Sequence, residues 1–333
     1  MKANGLPARD YRRTLHYIKA FTPRRADTVR SVDEDLKLAV NEYRCQASHA
    51  NAWTLVFTHG TSFNKDLWHA IIHGILTSDA LQGHIERVLA IDAANHGDSA
   101  VANERFLGPA THWPDHSRDI LAVLQHFKAD RNVIGIGHSF GGGTMCHAAS
   151  MAPFCFKETI LIEPILFQMD SGVLVLAQAT LKKRDEWPSL EHVSAAFSKS
   201  AGLANWDPRQ RDLYAETGTY DKVVDGGTVR TLKTTKYQEA ATYRAKPFPA
   251  ILDLLRDSPS KLEFIFGGSS KVLSSSQRAQ IKGLVGANGT ISIIGDAGHL
   301  IPMTHPQILT DMLVQMLTRT ICCDDCRLGM TKL

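Results

Sequence analysis

Short apolar runs alternate with helix-like stretches along the first half of the chain. In the helix-like stretches, residues 65–76 and 115–127, large apolar side chains recur at the spacing of one helix face. The apolar runs have the length of buried strands and lie at residues 15–20, 36–43, 53–58, 87–91, 132–137 and 159–162. This alternation predicts an α/β fold with a mostly parallel central sheet flanked by helices.

The alternation stops between residues 166 and 259. It resumes afterwards with two strand-like runs and a closing helical stretch, at residues 262–266, 290–294 and 306–321. We therefore predict a core formed by residues 1–165 and 260–333, and a mainly helical cap, residues 166–259, inserted after the sixth strand. The cap's aromatic side chains could line an apolar pocket or form the cap's own core; they are Trp187, Trp206, Tyr214, Tyr220, Tyr237 and Tyr243.

The composition is that of an ordinary globular protein and excludes several functions. Among 333 residues, 44% are hydrophobic and 21% are charged. The 37 lysines and arginines against 34 acidic residues give a net charge of +3, too close to balance for a dedicated nucleic-acid binder. No apolar run reaches the roughly 18 residues that a membrane helix requires, so no membrane span is expected.

The six cysteines are expected to be reduced thiols. Cys323 and Cys326 form one C-x-x-C pair, but a structural zinc site needs four ligands and no second pair stands near them. We therefore expect no metal site, and no motif in the chain indicates a cofactor.

One motif carries candidate chemistry. Residues 137–141, Gly-His-Ser-Phe-Gly, match G-x-S-x-G between an apolar strand and a helix-compatible segment. A serine at the tip of such a strand-to-helix turn sits in a strained backbone, where bulky neighbours would clash, so Gly137 and Gly141 flank it. Ser139 is the candidate nucleophile. The alternative is a glycine-rich turn with a capping serine.

A nucleophilic serine needs a base, which on this kind of fold follows the serine and the acid in chain order. His299 follows the last predicted strand, on a loop at the edge where α/β folds place their sites. His305 is the rival, but it precedes a proline at a helix start, which favours a capping role. We predict His299 as the base.

The acid should follow one of two strands. The run at 262–266 leads into residues 267–270, Gly-Gly-Ser-Ser, which contain no carboxylate. The run at 159–162 leads into Glu163, separated from the candidate serine by one helix and one strand. We predict Glu163 as the acid, with a turn-capping role as the alternative. Asp296, on the histidine's own loop, is the weaker candidate.

An oxyanion hole needs two backbone N–H groups. Phe140, the residue after the nucleophile, supplies one. The other should come from the loop after the third strand, His59-Gly60-Thr61, and we predict Thr61 as the donor. A plain turn is the alternative for this loop.

Four stretches carry a resemblance to a known family: HSRD at 116–119, VIGIGHSFGG at 133–142, LIEPILF at 161–167 and RDEWPS at 184–189. The chain resembles α/β-hydrolase-fold enzymes over nearly its whole length. More narrowly, it is similar to the fungal peroxisomal hydrolases of toxin and secondary-metabolite biosynthesis, of the mycophenolic acid acyl-CoA hydrolase type.

This resemblance implies an acid after the sixth strand, which the family usually provides as aspartate, so that Glu163 is a departure. It also implies an apolar polyketide-like or fatty acyl substrate that could be carried on coenzyme A. Lys182, Lys183 and Arg184 could meet the phosphates of such a carrier, although such runs are more often a solvated helix face.

The last three residues, 331–333, read Thr-Lys-Leu. They resemble the Ser-Lys-Leu peroxisomal address, which an import receptor reads at the chain's end. We expect a peroxisomal protein, with the cytoplasm as the alternative.

The sequence therefore predicts a serine hydrolase that cleaves an ester or thioester through Ser139, His299 and Glu163. A carboxylester lipase is the alternative enzyme. Epoxide hydrolase and dehalogenase chemistry are disfavoured because their nucleophile is a carboxylate. A non-catalytic ligand-binding protein on the same scaffold remains the alternative from another class, since a fold does not fix a function.

Overall fold

The computed structural model describes residues 11–31, 35–46, 52–167, 172–248, 251–256, 258–285 and 289–330, with side chains described as far as residue 322. Its strands, in chain order, are β1 (Tyr11–Lys19), β2 (Lys37–Cys45), β3 (Trp53–Thr58), β4 (Ile85–Ile91), β5 (Val133–His138), β6 (Phe156–Ile162), β7 (Glu186–Trp187), β8 (Thr219–Val224), β9 (Gly227–Leu232), β10 (Lys261–Gly267) and β11 (Gly289–Ile294). The terminal tripeptide at 331–333 lies outside the described residues.

The main sheet brings the ends of its six parallel strands to one edge. Within the described residues it has eight strands in the order β1-β2-β4-β3-β5-β6-β10-β11. The pairs β1–β2 and β2–β4 are antiparallel, and the remaining neighbours are parallel. Because parallel strands end at the same edge, the loops after β3, β5, β6 and β10 adjoin one another. The predicted mostly parallel sheet is confirmed.

Helices cover both faces of this sheet. In chain order, the helices of the core and of the cap are α1 (His69–Leu76), α2 (Gly97–Asn103), α3 (Trp113–His126), α4 (Phe140–Met151), α5 (Gly172–Lys182), α6 (Leu190–Ser198), α7 (Pro208–Thr217), α8 (Lys236–Arg244), α9 (Ile251–Arg256), α10 (Ser275–Val285), α11 (Ile301–Thr304) and α12 (Pro306–Met330). Successive strand side chains alternate between the faces. Leu55 and Phe57 of β3 pack with α1 and α12, whereas Val56 belongs to the cluster of α3, α4, α9 and α10.

The cap contains more than helices. Besides α5 to α8, strands β7, β9 and β8 form a small antiparallel sheet, whose hairpin turns at Asp225 and Gly226 with positive φ. Among the cap's aromatic side chains, Trp187, Trp206 and Tyr214 are buried in a hydrophobic cluster of the cap. This cluster also takes in Leu67 and Met303, so the cap packs on the core.

The predicted division at residues 166 and 259 stays a prediction. In the structure, Ile251 and Leu255 of α9 pack into the core's hydrophobic cluster rather than into that of the cap.

Among the described residues, no helix combines the length and the apolar character needed to cross a membrane. Among the described cysteines, Cys45, Cys146 and Cys155 are free thiols.

A buried lysine joins the loops that follow β3 and β4. Lys65 is fully buried, and its Nζ donates to Asp66 and Asp92, each at 3.1 Å, and to Asp98. Burial works to lower the pKa of Lys65, but the three carboxylates outweigh it and hold the pKa above its ordinary value. The charged ammonium therefore ties together two segments beneath the edge where the strands end.

Lys65→Met should destabilise the fold strongly. The substitution keeps most of the side-chain volume but leaves the fully buried Asp92 carboxylate without its lysine partner, which costs about 3–5 kcal/mol in comparable sites. Urea unfolding at pH 7 measures the loss. Lys157→Met, at an exposed position of β6, is the matched control and should change stability by no more than about 0.5 kcal/mol. Equal urea midpoints for both variants would contradict a structural role for the cluster.

Candidate active site

Ser139 occupies a strained turn between β5 and α4. Its φ of 54° and ψ of −120° lie in a region that residues with side chains rarely adopt. The turn is possible because glycines stand on both sides of it. A Cβ on Gly137 would lie 2.5 Å from the carbonyl oxygen of Gly141, and a Cβ on Gly141 would lie 2.4 Å from that of His59. The strained turn therefore requires glycine at both positions.

His299 and Glu163 complete a line of hydrogen bonds from this serine. His299 lies on the loop between β11 and α11, with Nε2 2.9 Å from Ser139 Oγ. Its Nδ1 lies 3.0 Å from Glu163 Oε2. If Nδ1–H donates to the carboxylate, Nε2 is left to accept the serine proton. The structure thus brings together the three side chains that the sequence singled out, and their catalytic roles stay a prediction.

The two rival residues pair with each other instead. The Asp296 side chain is 82% exposed, and its carboxylate lies 3.5 Å from Nε2 of His305. The Nδ1 of His305 contacts the Thr304 hydroxyl at 2.8 Å. This contact joins the loop after β11 to the residue that precedes α12, and it is partly exposed.

Glu163 is a fully buried carboxylate with a dense set of donors. Besides His299, the N–H of Gly267 donates to Oε1 at 2.8 Å and the hydroxyl of Ser270 donates to Oε2 at 2.6 Å. Arg278 lies 3.6 Å from Oε1. Burial works to raise the pKa of Glu163, but the hydrogen bonds from His299, Ser270 and Gly267 outweigh it and hold the pKa below its ordinary value. The group is therefore a carboxylate at neutral pH.

The loop after β10 has a role that sequence reasoning missed. Gly267-Gly268-Ser269-Ser270 contains no carboxylate, yet it supplies donors to the carboxylate at the end of the neighbouring strand. The register of β6 with β10, which pairs Ile162 with Ile265, makes this contact possible. The available signal in the sequence was Ser270, a hydrogen-bond donor three residues past the end of β10.

A second missed residue is His138, at the x position before Ser139. It is buried, and its Nε2 lies 2.9 Å from the carbonyl oxygen of His299, to which Nε2–H can donate. Burial, together with the nearby His299 ring, lowers the pKa of His138 to about 3. A neutral imidazole thus holds the backbone of the loop that carries His299.

The predicted oxyanion donors lie next to the serine. Phe140 begins α4, and Thr61 lines the same cavity as Ser139. Among the described residues, neither backbone N–H forms a hydrogen bond. Gly60 permits close approach, because a Cβ there would lie 2.8 Å from Nδ1 of His138. Two free donors and a helix N-terminus are the features that an oxyanion site requires.

A cavity of about 330 Å³ opens onto Ser139 and His299. Its wall is mostly apolar and includes Phe63, Trp113, Ile165, Val173, Leu174, Leu176, Pro247, Val272 and Leu300. Arg244 and Lys246 also line it; both are exposed, and no acidic side chain lines it among the described residues. The space therefore suits an apolar group next to the serine and a negative charge at its margin.

A second cavity of about 390 Å³ also adjoins His299 and is lined partly by Asp296 and His305. The basic run at 182–184 lines neither cavity: Lys183 pairs with Glu239, and Arg184 stacks over Trp187. Among the described residues, no group of three histidine, cysteine or acidic side chains is placed to hold a metal ion.

Solved structures share this fold. The peroxisomal α/β-hydrolase Lpx1 from Saccharomyces cerevisiae superposes with a TM-score of 0.82 at 20% identity, over 93% of this chain and 89% of that one. A thioesterase domain from the curacin biosynthetic pathway gives a TM-score of 0.62 at 15% identity, over 90% of this chain and 99% of that one. At these identities the likeness concerns the fold.

Curated relatives match over shorter stretches. The type I acyl-CoA thioesterase mpaH of Penicillium roqueforti is 31% identical over 199 residues, 55% of this chain and 44% of the relative. The peroxisomal membrane protein LPX1 of Saccharomyces cerevisiae is 38% identical over 124 residues, 35% of this chain and 32% of the relative. The matches thus span less than half the length of these relatives.

The family itself is shown over most of the chain. A model of the alpha/beta hydrolase family matches residues 55–311, from β3 to α12. The predicted fold class and the resemblance to this family are confirmed. Sheet order, the turn at Ser139 and the family match agree, and the chain belongs to the alpha/beta hydrolase family.

Proposed function

We propose that this protein is a serine hydrolase that cleaves an ester or thioester through an acyl-enzyme. The observation that carries the proposal is the unbroken line of hydrogen bonds from Ser139 Oγ through His299 to the buried Glu163 carboxylate. A hydroxyl is a weak nucleophile until a neighbouring base takes its proton, and this geometry supplies that base. A pure binding site would have no need of it.

In the first half-reaction, Ser139 Oγ attacks the substrate carbonyl while its proton moves to His299 Nε2. Glu163 holds the imidazole in the required tautomer and stabilises the charge that forms on it. The N–H groups of Thr61 and Phe140 bind the oxyanion. As the tetrahedral intermediate collapses, His299 returns the proton to the departing alcohol or thiol, and the acyl group stays on Ser139.

In the second half-reaction, water replaces the alcohol or thiol. His299 takes a proton from the water as its oxygen attacks the acyl carbonyl, and the same two N–H groups bind the new oxyanion. The intermediate then releases the carboxylic acid, and the proton returns from His299 to Ser139 Oγ. Epoxide opening or dehalogenation would need a carboxylate at the turn, where this chain has a hydroxyl.

Glu163→Gln and Asp296→Asn separate the proposed acid from its rival. Glu163→Gln keeps the size but loses the charge and can invert the imidazole tautomer, so kcat on an activated ester should fall by up to about 10⁴. Asp296→Asn is the matched control and should change kcat by no more than about threefold, because its side chain is exposed. Ser139→Ala should abolish the covalent path and leave only the slow residual hydrolysis that substrate binding and the oxyanion hole provide.

Two results would contradict these assignments. If Glu163→Gln stays active while Asp296→Asn loses its activity, the acid is Asp296, on the same loop as His299. Wild-type protein without Ser139-dependent turnover, and without Ser139 labelling by a fluorophosphonate, would favour the ligand-binding alternative.

We further propose an acyl-CoA as the substrate, in the secondary-metabolite biosynthesis that the family resemblance implies. The name of mpaH gives that relative an acyl-CoA substrate. In this chain, the apolar wall beside Ser139 suits an acyl group, and the exposed Arg244 and Lys246 suit the phosphates of the carrier. The second cavity is less suitable for the negatively charged coenzyme A, because Asp296 lines it.

The double variant Arg244→Ala/Lys246→Ala should hydrolyse coenzyme A thioesters less efficiently and leave other thioesters unaffected. Exposed ion pairs are each worth up to about 1 kcal/mol, so kcat/KM for an acyl-CoA should fall roughly tenfold. The thioester of the same acyl group with N-acetylcysteamine, which lacks phosphates, should be hydrolysed by the double variant with the wild-type kcat/KM. Lys199→Ala, at another exposed cap lysine, is the control variant. Equal losses on both thioesters would reject the phosphate contact.

The alternative enzyme is a carboxylester lipase. The observation that favours it is the exposure of Leu174, Val175 and Leu176 on α5, beside the cavity. Such a helix could meet a lipid surface. Faster hydrolysis of emulsified triacylglycerol than of any soluble acyl-CoA, in the same assay series, would select this alternative.

We propose a peroxisomal location, addressed by the tripeptide Thr331-Lys332-Leu333 and its import receptor. The peroxisomal names of LPX1 and Lpx1 support this proposal. A fluorescent protein fused to the N-terminus leaves Leu333 free and should collect in peroxisomes. Removing the three residues should return it to the cytosol, and an unchanged distribution would reject the address.

A further inference from the structure

Ser62, the residue after the proposed oxyanion donor Thr61, is held in an unfavourable backbone conformation. Its φ is 79°, in a region that residues with a side chain rarely adopt and that persists only where the surroundings impose it. Its N–H donates to Nε2 of the buried His96 at 3.3 Å. Its carbonyl oxygen accepts the hydroxyl of Tyr214, from cap helix α7, at 3.0 Å.

The Ser62 side chain is held by the cap as well. Its hydroxyl donates to Oε1 of Glu239, on cap helix α8, at 2.8 Å, and lies 3.0 Å from the hydroxyl of Tyr243 on the same helix. Glu239 is itself buried, at 5% exposure, and its other carboxylate oxygen pairs with Lys183 at the end of α5. Two cap helices therefore converge, through one carboxylate, on the loop that carries Thr61.

Glu239 and Ser62 are absent from the lining of the cavity next to Ser139. A buried carboxylate is costly to keep unless it is paired and hydrogen-bonded, and here its partners are the cap's lysine and the core's loop. The contact thus does something other than bind substrate directly. Oxyanion donors must be held to within about half an ångström, so a strained loop without this contact would place Thr61 N–H less accurately.

We propose that Glu239 is a positioning residue, which acts through Ser62 to hold Thr61 N–H where the oxyanion forms. The cap would then set the rate of the chemical step, in addition to covering the cavity. This inference rests on the proposed function, because it needs Thr61 to be an oxyanion donor. It assigns a catalytic effect to a cap carboxylate that never touches the substrate.

Ser62→Ala and Glu239→Gln test the inference on an acyl thioester. Each should lower kcat about ten- to hundredfold, less than the 10²–10³ lost when a donor is removed outright, and leave KM within about twofold. A trifluoromethyl ketone, whose adduct with Ser139 carries an oxyanion, should bind more weakly by the same factor as kcat falls. Ser62→Ala removes the donor of this hydrogen bond and Glu239→Gln replaces its charged acceptor with a weaker neutral one. Because both changes act on the same contact, the double variant should be no slower than the slower single variant.

Glu216→Gln, at an exposed position of cap helix α7, is the matched control and should behave like wild type. Unchanged kcat and ketone affinity in both variants, with turnover still dependent on Ser139, would overturn the inference and leave the proposed function standing. A raised KM with unchanged kcat would also overturn it, because Glu239 would then act on substrate binding. If Glu239→Gln fails to fold, Ser62→Ala, which deletes one hydroxyl, decides the question alone.

Discussion

The left-handed turn at Ser139 is the constraint on which the rest of the site depends. It allows β5 to run directly into α4, so that the serine side chain stands at the carboxyl edge of the sheet, next to the N-terminus of α4. The packing leaves no room for a Cβ at Gly137 or Gly141. Around this fixed point, the neighbouring loops need only bring one side chain or one N–H group each.

Electrostatics explains why Glu163 can be buried at that edge. A carboxylate without water is stable only with several donors, and here a ring nitrogen, a hydroxyl and a backbone N–H supply them from two separate loops. The same contacts fix the orientation of His299 from one side, and His138 fixes its backbone from the other. His299, the proposed base, is therefore oriented before any substrate arrives, which is the condition for fast proton transfer.

Local sequence patterns predict much of the fold and of the candidate site. The strand runs and the glycines around Ser139 predict the sheet and the turn, and the expected chain order of serine, acid and histidine singles out Glu163 and His299. The contacts that hold these residues come from distant segments: Ser270 lies 107 residues after Glu163, and Glu239 lies 177 residues after Ser62. No periodicity encodes such pairings. The cap's small sheet escaped prediction because its strands are short, polar and half exposed, so they lack a buried face.

The central claim is that Ser139 carries the acyl group. Wild-type enzyme mixed with an acyl thioester and quenched in acid within milliseconds should yield, on digestion, the peptide around Ser139 heavier by the mass of the acyl group. The modification should disappear as substrate is exhausted, since water releases the acid from the enzyme. Turnover with no acylated peptide at any quench time, or with the acyl group on another residue, would contradict the account.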